Sequence, residues 1–297
     1  MKSTQSIDLN YRGRFAPSPT GSLHFGSLVA AVGSYLDAKI RNGKWLVRIE
    51  NLDSQREVPG AASEILYTLE RLGMEWDEEV IYQSRRFKAY QDALDHLNKQ
   101  GLIYPCICSR KEIADSSIMG LNGPIYPGTC FKNPLLTKKI HALRIRTSND
   151  PIEFNDILKG VYSQKLRSDV GDFVLRRADG VYAYQLAVVV DDAEQNITHV
   201  VRGADLLDST PRQIFLQQSL GYSTPKYLHL PVVINAMGEK LSKQTNAAPI
   251  DLSNVLMQLV GALHFLGQKP PIEITEGNIF SFWQWAKENW RANQIPR

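Results

Sequence analysis

Residues 13–28 read GRFAPSPTGSLHFGSL, which puts two prolines, three glycines, one histidine and several hydroxyls into one short stretch. Pro17 and Pro19 fix φ and push the residues before them toward extended geometry, so Phe15 to Pro19 reads as a strand end leading into a stiff turn. Gly21 and Gly26 remove side chains where the backbone bends or something approaches it closely. A helix beginning near Ser27 would aim unpaired N–H groups and a partial positive charge back at that turn, an arrangement suited to phosphate. On this stretch alone, a phosphate pocket and an ordinary Pro/Gly loop before a helix both remain open. A second segment, GEKLSKQ at 238–244, sets Lys240 and Lys243 around Ser242, as a mobile clamp on developing phosphate charge would require; a solvated lysine surface has the same composition. The three cysteines give a C-x-C pair, Cys106 and Cys108, with Cys130 following and Tyr126 four residues before it. They are too few and odd in number for a disulfide framework, which leaves metal binding or free thiols.

Several elements must position these groups. Leu28 to Ile40 has apolar residues at helical spacing and stops at Asn42-Gly43. WLVRIEN alternates as a strand, GAASEILYTLERLGM and RRFKAYQDALDHLNKQG are amphipathic helices, and LIYPCICS is a further short strand. This alternation favours a parallel sheet with crossover helices. From Ser109 to Thr147 the texture turns to Pro, Gly and Lys without clear period, as in an inserted segment. DFVLRRADGVYAYQLAVVVDD reads as two strand-like runs joined at a tight Asp179-Gly180 turn. STPRQIFLQQSLG is a helix with Pro211 in its first turn, and KYLHL is a strand leading to the lysine loop. The C-terminal residues read as helical, with Trp283, Trp285 and Trp290 docking the last helix.

The bulk composition sets limits. The chain of 297 residues, 43% hydrophobic and 22% charged with a net charge of +3, can bury a sizeable core and is not a basic arm coating nucleic acid indiscriminately. No apolar run reaches the length of a membrane span, and the N-terminus has no apolar core for a signal peptide, so a cytoplasmic protein with no membrane partner is expected.

The pairing of the two end segments is more specific than either alone. PSPTGSLHFG and KLSK resemble the two signature sequences of class I aminoacyl-tRNA synthetases. RFAPSPTG, RIENLD, HVVRGADLLDSTPRQ and LPVVINAMGEKLSK are similar, in sequence and order, to glutamyl-tRNA synthetases over roughly residues 12–245. The first signature, usually HIGH, stands here as His24, Phe25, Gly26 and Ser27, so Ser27 replaces the second histidine. The resemblance implies an α/β fold: a class I, Rossmann-like parallel sheet with an inserted zinc-containing subdomain and a short C-terminal helical region. The expected divisions are 12–105 and 171–245 for the two halves of the catalytic domain, 106–170 for the insertion and 246–297 for the C-terminal helices.

It also implies roles. Pro17, His24, Gly26, Lys240, Ser242 and Lys243 would bind ATP with Mg2+, with His24 and Lys243 catalytic. Glutamate carries two carboxylates and one ammonium, so its pocket needs at least one arginine and one acid. Glu50 would take the ammonium, Arg14 and Arg202 the carboxylates, and Tyr184 would donate a hydroxyl; Ala16 and Ser18 complete that site. A structural Zn2+ would be held by Cys106, Cys108, Tyr126 and Cys130, with His141 the rival fourth ligand. Only 54 residues follow Lys243, too few for the anticodon-binding domain of a full-length glutamyl enzyme. The chain therefore resembles a truncated branch of that family, expected to act as a monomer, which attaches L-glutamate to queuosine in the anticodon of tRNA(Asp). A 3′-end glutamyl synthetase and a non-catalytic tRNA-binding module are the alternatives.

Overall fold

The computed structural model describes residues 10–120, 123–132, 141–235, 238, 240–241 and 247–297. The chain opens with β1 (Arg12–Phe15), α1 (Phe25–Lys39), β2 (Lys44–Ile49), α2 (Ala61–Arg71), β3 (Ile81–Tyr82) and α3 (Phe87–Lys99). β1, β2 and β3 form a parallel sheet with β2 in the middle, in register Arg14↔Leu46 and Arg48↔Ile81. α1 starts at Phe25, earlier than the expected Leu28, because His24 caps it: the ring Nδ1 accepts from the Ser27 N–H at 3.3 Å.

A region of short elements follows: β4 (Ile103–Cys106), α4 (Arg110–Ser116), β5 (Ile118–Gly120), β6 (Gly123–Ile125), α5 (Thr129–Lys132), β7 (Ala142–Ile145), β8 (Pro151–Asp156), β9 (Gly160–Lys165), α6 (Leu166–Asp169) and β10 (Phe173–Arg176). Here the reading of β4 as part of the parallel set is corrected. It pairs antiparallel with β7, which pairs antiparallel with β10. Pairing between strands so distant in sequence leaves no local mark.

The last part runs α7 (Tyr184–Glu194), β11 (His199–Gly203), α8 (Thr210–Leu220), β12 (Lys226–Leu230), α9 (Val255–Phe265) and α10 (Ile279–Asn289). The second strand-like run expected after Asp179-Gly180 is therefore mostly a helix. The turn is present, with Gly180 at φ +92° and a single bridge between Arg176 and Tyr182, but α7 then begins. Residues 186–192 are buried on every side of α7, and a helix buried all round shows a continuous apolar run like that of a central strand. β11 and β12 are parallel, and the Thr198 N–H bonds the Arg12 carbonyl at 2.9 Å, which brings β11 beside β1.

β2 passes between two hydrophobic cores. Trp45, Val47 and Ile49 face one, built with α1, α9 and α10; Leu46 faces the other, built with α3, α7 and α8. Gly33 lets α1 lie close to β12, since a Cβ there would come within 2.6 Å of the Leu230 side chain. The C-terminal helices cover the first core. Trp283 and Trp290 are buried, Trp285 packs against the same cluster, and Trp283 Nε1 donates to the Leu72 carbonyl at 2.9 Å. Trp283→Ala should cost about 3–5 kcal/mol in urea unfolding, whereas Phe280→Ser, on a side chain 77% exposed, should stay within about 0.5 kcal/mol.

Candidate active site

The predicted residues gather at the carboxyl ends of the parallel strands, where open α/β sheets form their ligand crevices. Arg14 is in β1, and Ala16, Pro17 and Ser18 follow it. Glu50 comes directly after β2, and Arg202 lies near the end of β11. The turn is fastened to the end of β2 and to the segment before α2, because the Glu50 N–H donates to the Pro17 carbonyl and the Val58 N–H to that of Pro19, both at 2.9 Å. A cleft of about 270 Å³ opens here, lined by Ser18, Glu50, Asn51, Asp53, Gln83 and Tyr184 among others. Arg14 and Arg202 are buried and do not line it.

Behind the cleft lies a buried ion network. Arg48, with no exposure, donates to Asp192 at 2.7 Å, to Gln195 at 2.8 Å and to Glu50 at 3.3 Å. Asp192 also receives Arg14, from Nε at 3.1 Å and Nη2 at 3.3 Å. The neighbouring Asp191 accepts from Gln83 and Tyr90 at 2.8 Å and from Arg86 at 2.5 Å. Burial pushes the Glu50 carboxyl above its ordinary range, against the pull of Arg48 and Arg14. Burial also raises the Tyr184 phenol, which feels Arg202, Glu50, Arg14 and Asp192, so these five groups share one electrostatic environment.

Arg202 has its own support. Its Nε donates to His229 Nε2 at 3.2 Å and its Nη2 to Thr210 Oγ1 at 2.8 Å, while His229 Nδ1 meets Asp156 at 2.7 Å. Among the described residues, Nη1 is buried without a hydrogen-bond partner. A buried guanidinium nitrogen left unpaired is costly, and Arg48 Nε and Arg212 Nε share this condition.

The two end segments meet. Gly26 leaves room for the His24 ring, which a Cβ would approach to 3.0 Å, and the Leu241 carbonyl lies 3.6 Å from the same point. Lys240 extends to Asp205 at 2.5 Å. Ser242 and Lys243 lie outside the described residues.

Residues 10–258 match the family described as class I tRNA synthetases (E and Q), catalytic domain. The chain belongs to this family. A relative from Dechloromonas aromatica named glutamyl-Q tRNA(Asp) synthetase is 57% identical over 97% of this chain and 96% of its own length. One of the same name from Chromobacterium violaceum is 54% identical over 96% of this chain and 95% of its own. The crystal structure of a glutamate tRNA ligase from Elizabethkingia meningosepticum in complex with its amino acid matches with a TM-score of 0.77 at 25% identity, covering 96% of this chain and 66% of the ligase. The chain thus spans just under two thirds of that ligase's length. The fold is that of a class I synthetase, and among the described residues no helix is long and apolar enough to cross a membrane.

In this synthetase chain the cysteines also converge. The sulfurs of Cys106, Cys108 and Cys130 lie within 4.8 Å of one another. The Tyr126 hydroxyl is 3.4 Å from Cys106 Sγ and 3.6 Å from Cys108 Sγ, and it accepts from the Cys130 N–H at 2.9 Å. Three soft sulfur donors and one oxygen around a common centre could hold a metal ion. His141 is not in the group.

Sequence reasoning missed Arg48, Asp191, Asp192, His229 and Asp156. One signal was available: Arg48 lies among apolar residues of β2 and Glu50 follows two positions on, on the same face, so both needed buried partners. His229 gives a test of the network behind the cleft. Burial pushes its pKa below the ordinary 6.5, the Asp156 hydrogen bond opposes this, and the Arg202 charge adds to the depression. The folded state thus binds this proton less readily than the unfolded chain. The stability that neutral His229 contributes is complete above about pH 6.5 and is lost as pH falls through its lower, folded pKa. Tm should fall from about pH 7.5 to 5.5, and His229→Gln should flatten that fall. An unchanged slope in the variant would show that another group titrates.

Proposed function

We propose that this synthetase chain activates L-glutamate with ATP and Mg2+ to glutamyl-adenylate and transfers the glutamyl group to queuosine in the anticodon of tRNA(Asp). The observation that carries this reading is the match, over nearly the whole of both chains, to relatives named glutamyl-Q tRNA(Asp) synthetase.

The charges behind the cleft agree with the amino acid. Arg14, Arg48 and Arg202 stand with Asp192, Glu50 and Asp156 behind the cleft, and Asp191 is paired with Arg86, so groups of both signs are at hand for the carboxylates and the ammonium of glutamate. In this assignment Glu50 receives the ammonium, Arg202 receives a carboxylate through its unpaired Nη1, Arg14 holds the other carboxylate, and Tyr184 donates its hydroxyl. Ala16 and Ser18 complete the wall from the turn. Pro17, His24 and Gly26 form the ATP side, closed by Lys240, Ser242 and Lys243.

In the first step, a glutamate carboxylate oxygen bonds to the α-phosphorus while the bond from that phosphorus to the bridging oxygen breaks, and pyrophosphate leaves with Mg2+. In the second, a hydroxyl of the queuosine cyclopentenediol bonds to the acyl carbon, loses its proton, and AMP leaves. The protein's part is chiefly positioning and charge stabilisation. Cys106, Cys108, Tyr126 and Cys130 would hold a structural Zn2+, which with four protein ligands leaves no position for substrate. The chain acts as a monomer in the cytoplasm.

Glutamate-dependent pyrophosphate exchange should appear with protein, ATP and Mg2+ alone. Lys243→Ala should lower it about 10²–10³-fold while glutamate binding changes little, because its charge acts in the transition state. Equal losses would place Lys243 in the ground state. For the acceptor, tRNA(Asp) trimmed of its 3′ adenosine should still be glutamylated and tRNA(Asp) lacking queuosine should not. The reverse result would identify a 3′-end synthetase.

A further inference from the structure

Arg144, on β7, is unused by any of the steps above. It is only 8% exposed and sits in the middle of the antiparallel sheet, opposite Tyr104 on one side and Val174 on the other. Its Nε donates to Cys106 Sγ at 3.2 Å, its guanidinium lies 4.0 Å from the centre of the Tyr126 ring, and its Nη1 donates to the Asp172 carbonyl at 2.7 Å. The Asp172 carboxylate is turned elsewhere, to Tyr104 at 2.7 Å and to the N–H and hydroxyl of Thr147 at 2.8 and 3.0 Å. Among the described residues Arg144 forms no ion pair with a carboxylate.

A guanidinium stays charged in any protein environment, and burying that charge without an opposite one is strongly unfavourable. Its neighbours here are a sulfur, which binds a metal as the thiolate, and a phenol. A divalent ion held by three thiolates carries one net negative charge, and two if the phenol is also ionised. The cation and the liganded cluster would each supply the charge the other lacks.

We propose that Arg144 is the counter-charge and positioning residue of the metal cluster, holding Cys106 and Tyr126 toward the ion and tying them, through the Asp172 carbonyl, to β10. The proposal rests on the reading of Cys106, Cys108, Tyr126 and Cys130 as metal ligands. The arrangement is that of an outer-sphere partner, which orients a ligand and tunes its donor strength without touching the metal. Arginine suits it better than lysine, because one planar group stacks on the ring while separate N–H groups reach the sulfur and the carbonyl.

The test is metal affinity measured on the full chain. Wild-type protein should contain one zinc per chain by elemental analysis. Arg144→Gln, with its far-UV circular dichroism unchanged, should bind zinc about 10–100-fold more weakly in competition with a chromogenic chelator. In Co2+-loaded protein the thiolate-to-cobalt charge-transfer band should shift, because a hydrogen bond to sulfur has been removed. Arg144→Lys, which keeps the charge and loses the stack, should fall between the two, and it carries the test if the glutamine variant does not fold. Zinc in the wild type with undiminished affinity and an unshifted cobalt band in a folded variant would overturn the role of Arg144 while leaving the metal site standing. Wild-type protein that takes up neither zinc nor cobalt would overturn both.

Discussion

A guanidinium with no contact with water, that of Arg48, lies where β2 passes between the two hydrophobic cores, and the elements around the cleft are joined through it. Desolvating such a charge costs several kcal/mol, so it is tolerated only where oppositely charged and hydrogen-bonding groups are fixed around it. Asp192 at 2.7 Å and Gln195 at 2.8 Å meet that demand from α7 and the residue that caps it, and Asp192 passes the connection to Arg14 on β1. Two neighbouring strands and a helix far off in sequence are thus locked at one point. The acids also sit in the last turns of α7, where the helix dipole disfavours negative charge. The arginines from β1 and β2 compensate for this.

The chain of Asp156, His229 and Arg202 repeats this logic on the other parallel pair. Arg202 and His229 are directly opposite in the register of β11 and β12, and Asp156 closes β8 against the buried ring. Because Asp156 takes the proton-bearing Nδ1, Nε2 is free to accept from Arg202, which fixes both the tautomer and the guanidinium. Each network therefore holds an arginine rigidly behind the cleft before any substrate arrives. Such preorganisation is what charge-stabilising catalysis requires.

Legibility in the sequence followed the range of the interactions. The turn at 14–27 could be read because proline and glycine act on their own backbone, and the grouping of the C-x-C pair with Cys130 because its sulfurs come from a short segment with one return. The helical nature of α7 was hidden because burial on all sides erases the 3.6-residue period that distinguishes helix from strand. The antiparallel placement of β4 depends on β7, nearly forty residues away. Arg14 could be chosen as a site residue but not seen to be bound to Asp192, 178 positions later. What stayed hidden in each case is a partner that only the folded chain brings near.

The same networks leave capacity at Glu50 and at Arg202, which gives the proposed amino-acid site its polarity. Asp192 receives Arg48 at 2.7 Å and Arg14 at 3.1 Å, while Glu50 receives Arg48 only at 3.3 Å and is pushed by burial above the usual carboxylate range. Glu50 is therefore the acid of the cluster with most to gain from a further cation, and it lines the cleft whereas Asp192 does not. Among the described residues both Arg48 Nε and Arg202 Nη1 are buried without an acceptor, but Arg48 is already paired with Asp192 and Glu50, whereas Arg202 has no carboxylate partner and lies on the separate strand pair. An ammonium drawn to Glu50 and a carboxylate drawn to Arg202 would set a zwitterion in one direction across the strand ends. An amino acid bound backwards would place like charges at both points, so the orientation follows from which groups the core has already neutralised and which it has not.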